Sequence, residues 1–98
     1  MSTVVLIVEY TLKPGQRDAY VARAREHRAN VLGNEPGCKQ FDLIIPDDAP
    51  DKVCLFEIYT DADAFDVHTK TSYMQEYRDD IAPMSVDRRV IRGTLGNE

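Results

Sequence analysis

Among the side chains of this sequence, its two histidines are the groups best suited to moving a proton near neutral pH. One of them, His68, follows Phe65 by three residues and precedes Tyr73 by five. Three-residue spacing puts Phe65 and His68 on one face of a helix, so the imidazole is directed toward the core with an aromatic ring beside it. An unperturbed imidazole has a pKa of about 6.5, so in an apolar pocket it is neutral at physiological pH and can act as a general base. Tyr73 carries a hydroxyl that can donate a hydrogen bond to an anion formed there. Phe56, Phe65 and Met74 are the candidate walls for a flat aromatic ligand. His27 is the second candidate acid or base, because Tyr20, Ala24, His27 and Val31 recur at the spacing of one buried helical stripe. Each histidine also has a structural alternative. His68 would fix the join to the next element, and His27 would cap carbonyls at a helix end, a role that stabilises by about 0.3 to 1 kcal/mol.

The elements that must position these residues are readable in order. Residues 4–11 form a first strand, ended by Lys13-Pro14-Gly15, and residues 16–32 form an amphipathic helix closed by a Gly33-Asn34 cap signal. Glu35-Pro36-Gly37 is a turn into a second strand over 38–45. Pro46-Asp47-Asp48-Ala49-Pro50-Asp51 is a hairpin connection, and 52–59 is the third strand. A capping box at Thr60 and Asp63 starts a short helix that contains His68. A repeat of the pattern at Ser72 and Gln75 starts another, which Pro83 stops. Residues 86–95 are a last strand in which Gly93 marks a bulge or bend, and 96–98 are a tail. The sequence is one domain over residues 3–95.

Composition narrows the function. A chain of 98 residues buries only about 60 to 70% of its surface, so a partner subunit would help it. Hydrophobic content of 43% and charged content of 30% fit a folded globular protein. The formal net charge of −5 argues against nucleic acid or an anionic membrane as partner. The arginines at 17, 23, 25 and 28 are offset by Asp18 and Glu26 on an outer helix face. The apolar run at residues 4–8 has no basic segment before it and is too short to span a bilayer, so a cytoplasmic protein is expected. Cys38 and Cys54 read as reduced thiols, because the hairpin register sets Cys38 opposite the end of the following strand and not opposite Cys54. No H-x-H, H-x-x-x-H or C-x-x-C spacing supports a metal site, and there is no Gly-rich phosphate loop or G-x-S-x-G elbow. No cofactor is expected.

The order β-α-β-β-α-β defines an α+β, ferredoxin-like split βαβ arrangement with an antiparallel sheet and its helices on one side. The strands are apolar on both faces, so the face without helices needs cover, which a second copy of the chain would supply as a homodimer. Glu57, flanked by Leu55 and Tyr59, is expected on that shared face, paired with Arg88, Arg89 or Arg92.

On this architecture, Glu35-Pro36-Gly37-Cys38 followed by Phe41-Asp42-Leu43, and Glu57-Ile58-Tyr59 followed by Ala64-Phe65 and His68, resemble two motifs of the antibiotic biosynthesis monooxygenase domain. The resemblance spans nearly the whole chain. It implies a dimeric α/β barrel and cofactor-free oxidation of quinols or polyketide phenols. A small aromatic or quinol-type molecule would be the substrate, and His68 would remove the phenolic proton so that the electron-rich anion can reduce O2. Related folds include a carbonyl isomerase acting on a phosphorylated autoinducer, for which His27 and His68 would shuttle a proton, and haem-degrading enzymes. Many members carry a second histidine at the position that is Tyr73 here, and this chain has no tryptophan. A non-catalytic dimer binding a small apolar ligand is the remaining alternative.

Overall fold

The computed structural model describes residues 2–98. Its elements are β1 (Val4–Leu12), α1 (Arg17–Asn34), β2 (Cys38–Ile44), β3 (Lys52–Tyr59), α2 (Ala62–Thr69), α3 (Ser72–Ile81), a 3-10 turn (Ala82–Met84) and β4 (Ser85–Gly93). The strands form one sheet in the order β2-β3-β1-β4 with every pairing antiparallel, which is the expected α+β ferredoxin-like topology. Gly15 is the one described residue that needs a positive φ, at 79°, and it turns the chain from β1 into α1.

Boundaries differ where local chemistry offered two adjacent choices. The cap of α2 is Asp61, whose side chain accepts from Ala64 N at 2.8 Å, and not Thr60. Thr60 is still engaged with the sheet, its N–H donating to Gly37 O at 2.8 Å. Likewise Thr71, and not Ser72, caps α3 by accepting from Met74 N. Helix α1 runs through Gly33 and Asn34, and Glu35 becomes its C-cap, with its N–H donating to Val31 O. Gly93 ends β4 and makes no bulge. The irregularities fall at Thr11/Leu12 and at Cys38/Gln40, leaving Lys39 out of register. Cys38 sits opposite Tyr59 and Cys54 opposite Ile44, and both are free.

Alternation assigns the faces. Val4, Leu6, Val8 and Tyr10 of β1 and Val53, Leu55, Glu57 and Tyr59 of β3 point to the side covered by the helices, and all are buried. They pack with Phe41, Tyr20, Val31, Tyr77 and Ile81 into one core. Within it, Tyr20 and Tyr77 share an O–H···O hydrogen bond of 2.7 Å. Glu57 therefore lies beneath the helices and not on the face left for a partner, and Tyr59, not an arginine, is its hydrogen-bond donor. The opposite face carries Ile7, Ile44 and Ile91, which are 42, 50 and 65% exposed, beside half-buried Phe56 and Ile58. Among the described residues no helix is long and apolar enough to cross a membrane.

Close packing between the sheet and α2 has one strict requirement. A Cβ at Gly37 would come within 2.6 Å of Ala64 Cβ, so only glycine there lets α2 sit as near to β2 as it does.

Candidate active site

Three helix ends converge on one carboxylate. Glu35 leaves the C-terminus of α1 with its side chain turned inward and buried. Its Oε1 lies 3.0 Å from Nδ1 of His68 in the last turn of α2, and its Oε2 accepts from the Tyr73 hydroxyl in the first turn of α3. A carboxylate can only accept from Nδ1, so Nδ1 carries the proton and Nε2 keeps its lone pair; the tautomer follows from the partner. His68 is 2% exposed. Burial lowers its pKa from the ordinary value, and the hydrogen bond and charge of Glu35 oppose that shift without reversing it. His68 is thus neutral at pH 7, with a free basic nitrogen.

That nitrogen belongs to a cavity of about 80 Å³, lined by His27, Phe41, Leu55, Glu57, Phe65 and Met74 among others. The volume falls short of the roughly 150 Å³ known to hold a dry benzene, so the closed cavity alone would not enclose an aromatic ring. Thr69, Tyr77, Arg78 and Arg88 line the same space. His27 comes from the inward stripe of α1 and stacks on Tyr77 at 4.0 Å between ring centroids. The two histidine rings stand 5.9 Å apart. Burial, then the charges of His68, Arg23 and Arg78, push His27 down to about 3, and its Nδ1 has no hydrogen-bond partner. A buried polar nitrogen left unsatisfied costs about 1–3 kcal/mol.

Glu57 completes the floor. Its Oε1 accepts from Tyr59 O–H at 2.6 Å and stands 4.0 Å from His68 Nε2, beyond hydrogen-bond range. Burial raises its pKa from 4.5 to about 7, against the lowering effects of the Tyr59 hydrogen bond and the Arg88 charge. The cavity thus holds a second group poised to exchange a proton near neutrality.

Of the residues singled out from sequence, His68, His27, Phe65 and Met74 meet at this cavity. Phe56 does not. It stands opposite Ile7 and Asp42, one residue out of step with the inward Leu55 and Glu57, so it projects from the other side of the sheet. Tyr73 is close by, with its ring 6.1 Å from His27, but its hydroxyl is committed to Glu35 and it is not among the lining residues. Sequence reasoning missed Glu35 as a site residue, treating it as part of a turn. It also missed the cavity role of Glu57. Among the described residues no three of His, Cys, Asp and Glu are grouped to hold a metal ion.

The fold and the cavity under its helix ends place the chain in the ferredoxin-like α+β class. The sequence profile of the antibiotic biosynthesis monooxygenase family matches residues 3–80, and the chain belongs to that family. Solved structures agree in fold. A provisionally named antibiotic biosynthesis monooxygenase from Nitrosomonas europaea is 24% identical with a TM-score of 0.88, the match covering 94% of this chain and 88% of that one. One similarly named from Bacteroides thetaiotaomicron is 22% identical with a TM-score of 0.88, covering 96% and 90%. A third from Caulobacter crescentus is 19% identical with a TM-score of 0.89, covering 94% and 88%.

The titration of Glu57 yields a stability prediction. A carboxyl whose pKa rises from 4.5 to about 7 on folding stabilises the fold fully below pH 4.5, and that contribution is lost as pH climbs through 7. Wild type should therefore lose about 3 kcal/mol relative to Glu57→Gln between those limits, read by urea unfolding at a series of pH values. His27 acts with the opposite sign in both proteins, losing stability as pH falls from 6.5 toward 3, and so cancels in the difference. Parallel pH curves for the two proteins would contradict the buried placement of Glu57.

Proposed function

We propose that the protein oxidises a small hydroquinone or related phenol with O2, taking the electrons from the substrate and using no bound cofactor. The observation that carries this reading is the Nε2 lone pair of a buried histidine, fixed by Glu35 through Nδ1, at an apolar cavity walled by Phe41, Phe65, Met74 and Tyr77. His68 Nε2 takes the phenolic proton, and the low-dielectric wall makes the resulting anion more strongly reducing than it would be in water. The anion passes one electron to O2, and the radical pair joins as a ring hydroperoxide. Loss of water then leaves a hydroxyquinone, so one oxygen atom enters the product and the other leaves as water. Glu57, whose carboxyl pKa burial brings to about 7, exchanges a proton with the ring's other oxygen, and His27 lines the same cavity. Tyr73 acts through Glu35, donating its hydroxyl to the carboxylate's Oε2.

A second reading is favoured by one distance. Two neutral histidines 5.9 Å apart on one cavity would suit a proton shuttle between neighbouring carbons of a small carbonyl compound. Such an isomerase needs no O2.

We further propose that the chain works as a homodimer, joined through the sheet face that carries Ile7, Ile44, Phe56, Ile58 and Ile91. Exposed apolar area on that scale is costly for a monomer, and burial recovers about 25 cal/mol for each Å² removed from water. Light scattering of the dilute protein should give twice the 11.1 kDa chain mass. A stable, folded monomer would refute the pairing.

The activity is tested by oxygen uptake with chelator-treated protein over a panel of hydroquinones, naphthoquinols and catechols. Uptake should depend on the protein and persist after chelation. In His68→Gln, which retains a donor for Glu35, it should fall by about 100- to 10,000-fold with the melting temperature little changed. Turnover of a carbonyl substrate under argon would favour the isomerase, and unchanged uptake in His68→Gln would remove the histidine from the mechanism.

A further inference from the structure

The mouth of the cavity is cationic. β4 runs beyond the helices, and every residue after Ser85 in it is exposed. Arg88 and Arg92 stand opposite Tyr10 and Leu6, so they share the inward face of the sheet, and Arg88 lines the cavity. Arg78 approaches from the last turn of α3. Arg78 and Arg88 both line the cavity and also an outer groove of about 280 Å³ that shares Tyr10 and Met74 with it. The guanidinium of Arg92 lies 4.9 Å from the Phe65 ring centroid, over the aromatic wall.

Among the described residues, none of these three arginines has a carboxylate within salt-bridge distance, although the chain has 17 acidic residues and a net charge of −5. The polar contact of Arg78 is a pair of long bonds, each 3.5 Å, to the Thr69 carbonyl at the end of α2. Unpaired guanidiniums meeting at the junction of two cavities, in an acidic protein, form a recognition site for an anion. The charge it takes is small. Glu57 on the floor and the carbonyl end of α2 at Thr69 both oppose further negative charge, so a monoanion fits where a dianion would be repelled.

We infer that the substrate carries its own carboxylate, held by Arg78 and Arg88 at the cavity mouth, with the ring lying against Phe65 and its hydroxyl directed inward to His68. This rests on the reading of His68 as the base for a phenolic substrate, and it narrows that class to hydroxylated aromatic acids. The 80 Å³ cavity is too small for a whole ring with substituents, which puts the charged end of such a molecule at the collar.

The probes are 2,5-dihydroxybenzoate and its uncharged amide, titrated by calorimetry under argon so that binding is read without turnover. The acid should bind at least about tenfold more tightly than the amide, as expected for a charge-assisted hydrogen bond, and the preference should shrink with added salt. Arg88→Gln and Arg78→Gln should each weaken the acid by about tenfold and leave the amide within twofold. Equal affinity for acid and amide, an equal loss for both in the arginine variants, or no binding of either would overturn the inference. An intact acid preference without oxygen uptake by any phenol would leave the anion site standing and remove the monooxygenase reading. Uptake with neutral hydroquinones but no acid preference would do the reverse.

Discussion

The buried hydrogen bond from His68 Nδ1 to Glu35 is the contact on which the rest of the site depends. It ties the end of α1 to the last turn of α2, and Tyr73 draws the first turn of α3 to the same carboxylate. Leaving a buried carboxylate without donors would be costly, so the three helix ends are held together by the need to satisfy it. The same bond assigns the imidazole's protons. With Nδ1 committed, Nε2 is left as an acceptor on the cavity side, 4.0 Å from Glu57 Oε1, and the helix ends that close the core also orient it.

Desolvation then sets the protonation states. Burial lowers both histidines and raises Glu57 to about 7, so the cavity holds neutral bases next to a carboxyl that is partly protonated near neutrality. The arginines are at the mouth instead, where Arg78 and Arg88 line the cavity and remain in reach of water. An apolar interior with neutral proton acceptors, edged by a cationic rim, is the arrangement on which the proposed substrate rests, with its phenolic hydroxyl inside and its anionic group at the rim.

The helix-borne part of this site was legible in the sequence. Helical period alone put His27 on an inward stripe and aligned Phe65 with His68, because a solvent face rich in arginine or aspartate makes the inward direction unambiguous. The strands gave no such reference. With apolar residues on both faces, alternation fixes which residues share a side but not which side the helices cover. Phe56 and Glu57 were assigned with that parity reversed: Phe56 faces outward and Glu57 faces the cavity. Glu35 was hidden for another reason. It sits in Glu-Pro-Gly, where turn chemistry accounts for the sequence without reference to where the side chain points. Tyr73 was placed in the correct neighbourhood, but its partner could not be foreseen until Glu35 was known to turn inward.

The most direct test of this account is the tautomer of His68, observed by long-range proton–nitrogen NMR correlation of the imidazole in nitrogen-15-labelled protein at pH 7. The account predicts a neutral ring with the proton on Nδ1 and an unprotonated Nε2, and a loss of that fixed preference in Glu35→Gln. A proton on Nε2, or a charged imidazolium at that pH, would contradict it.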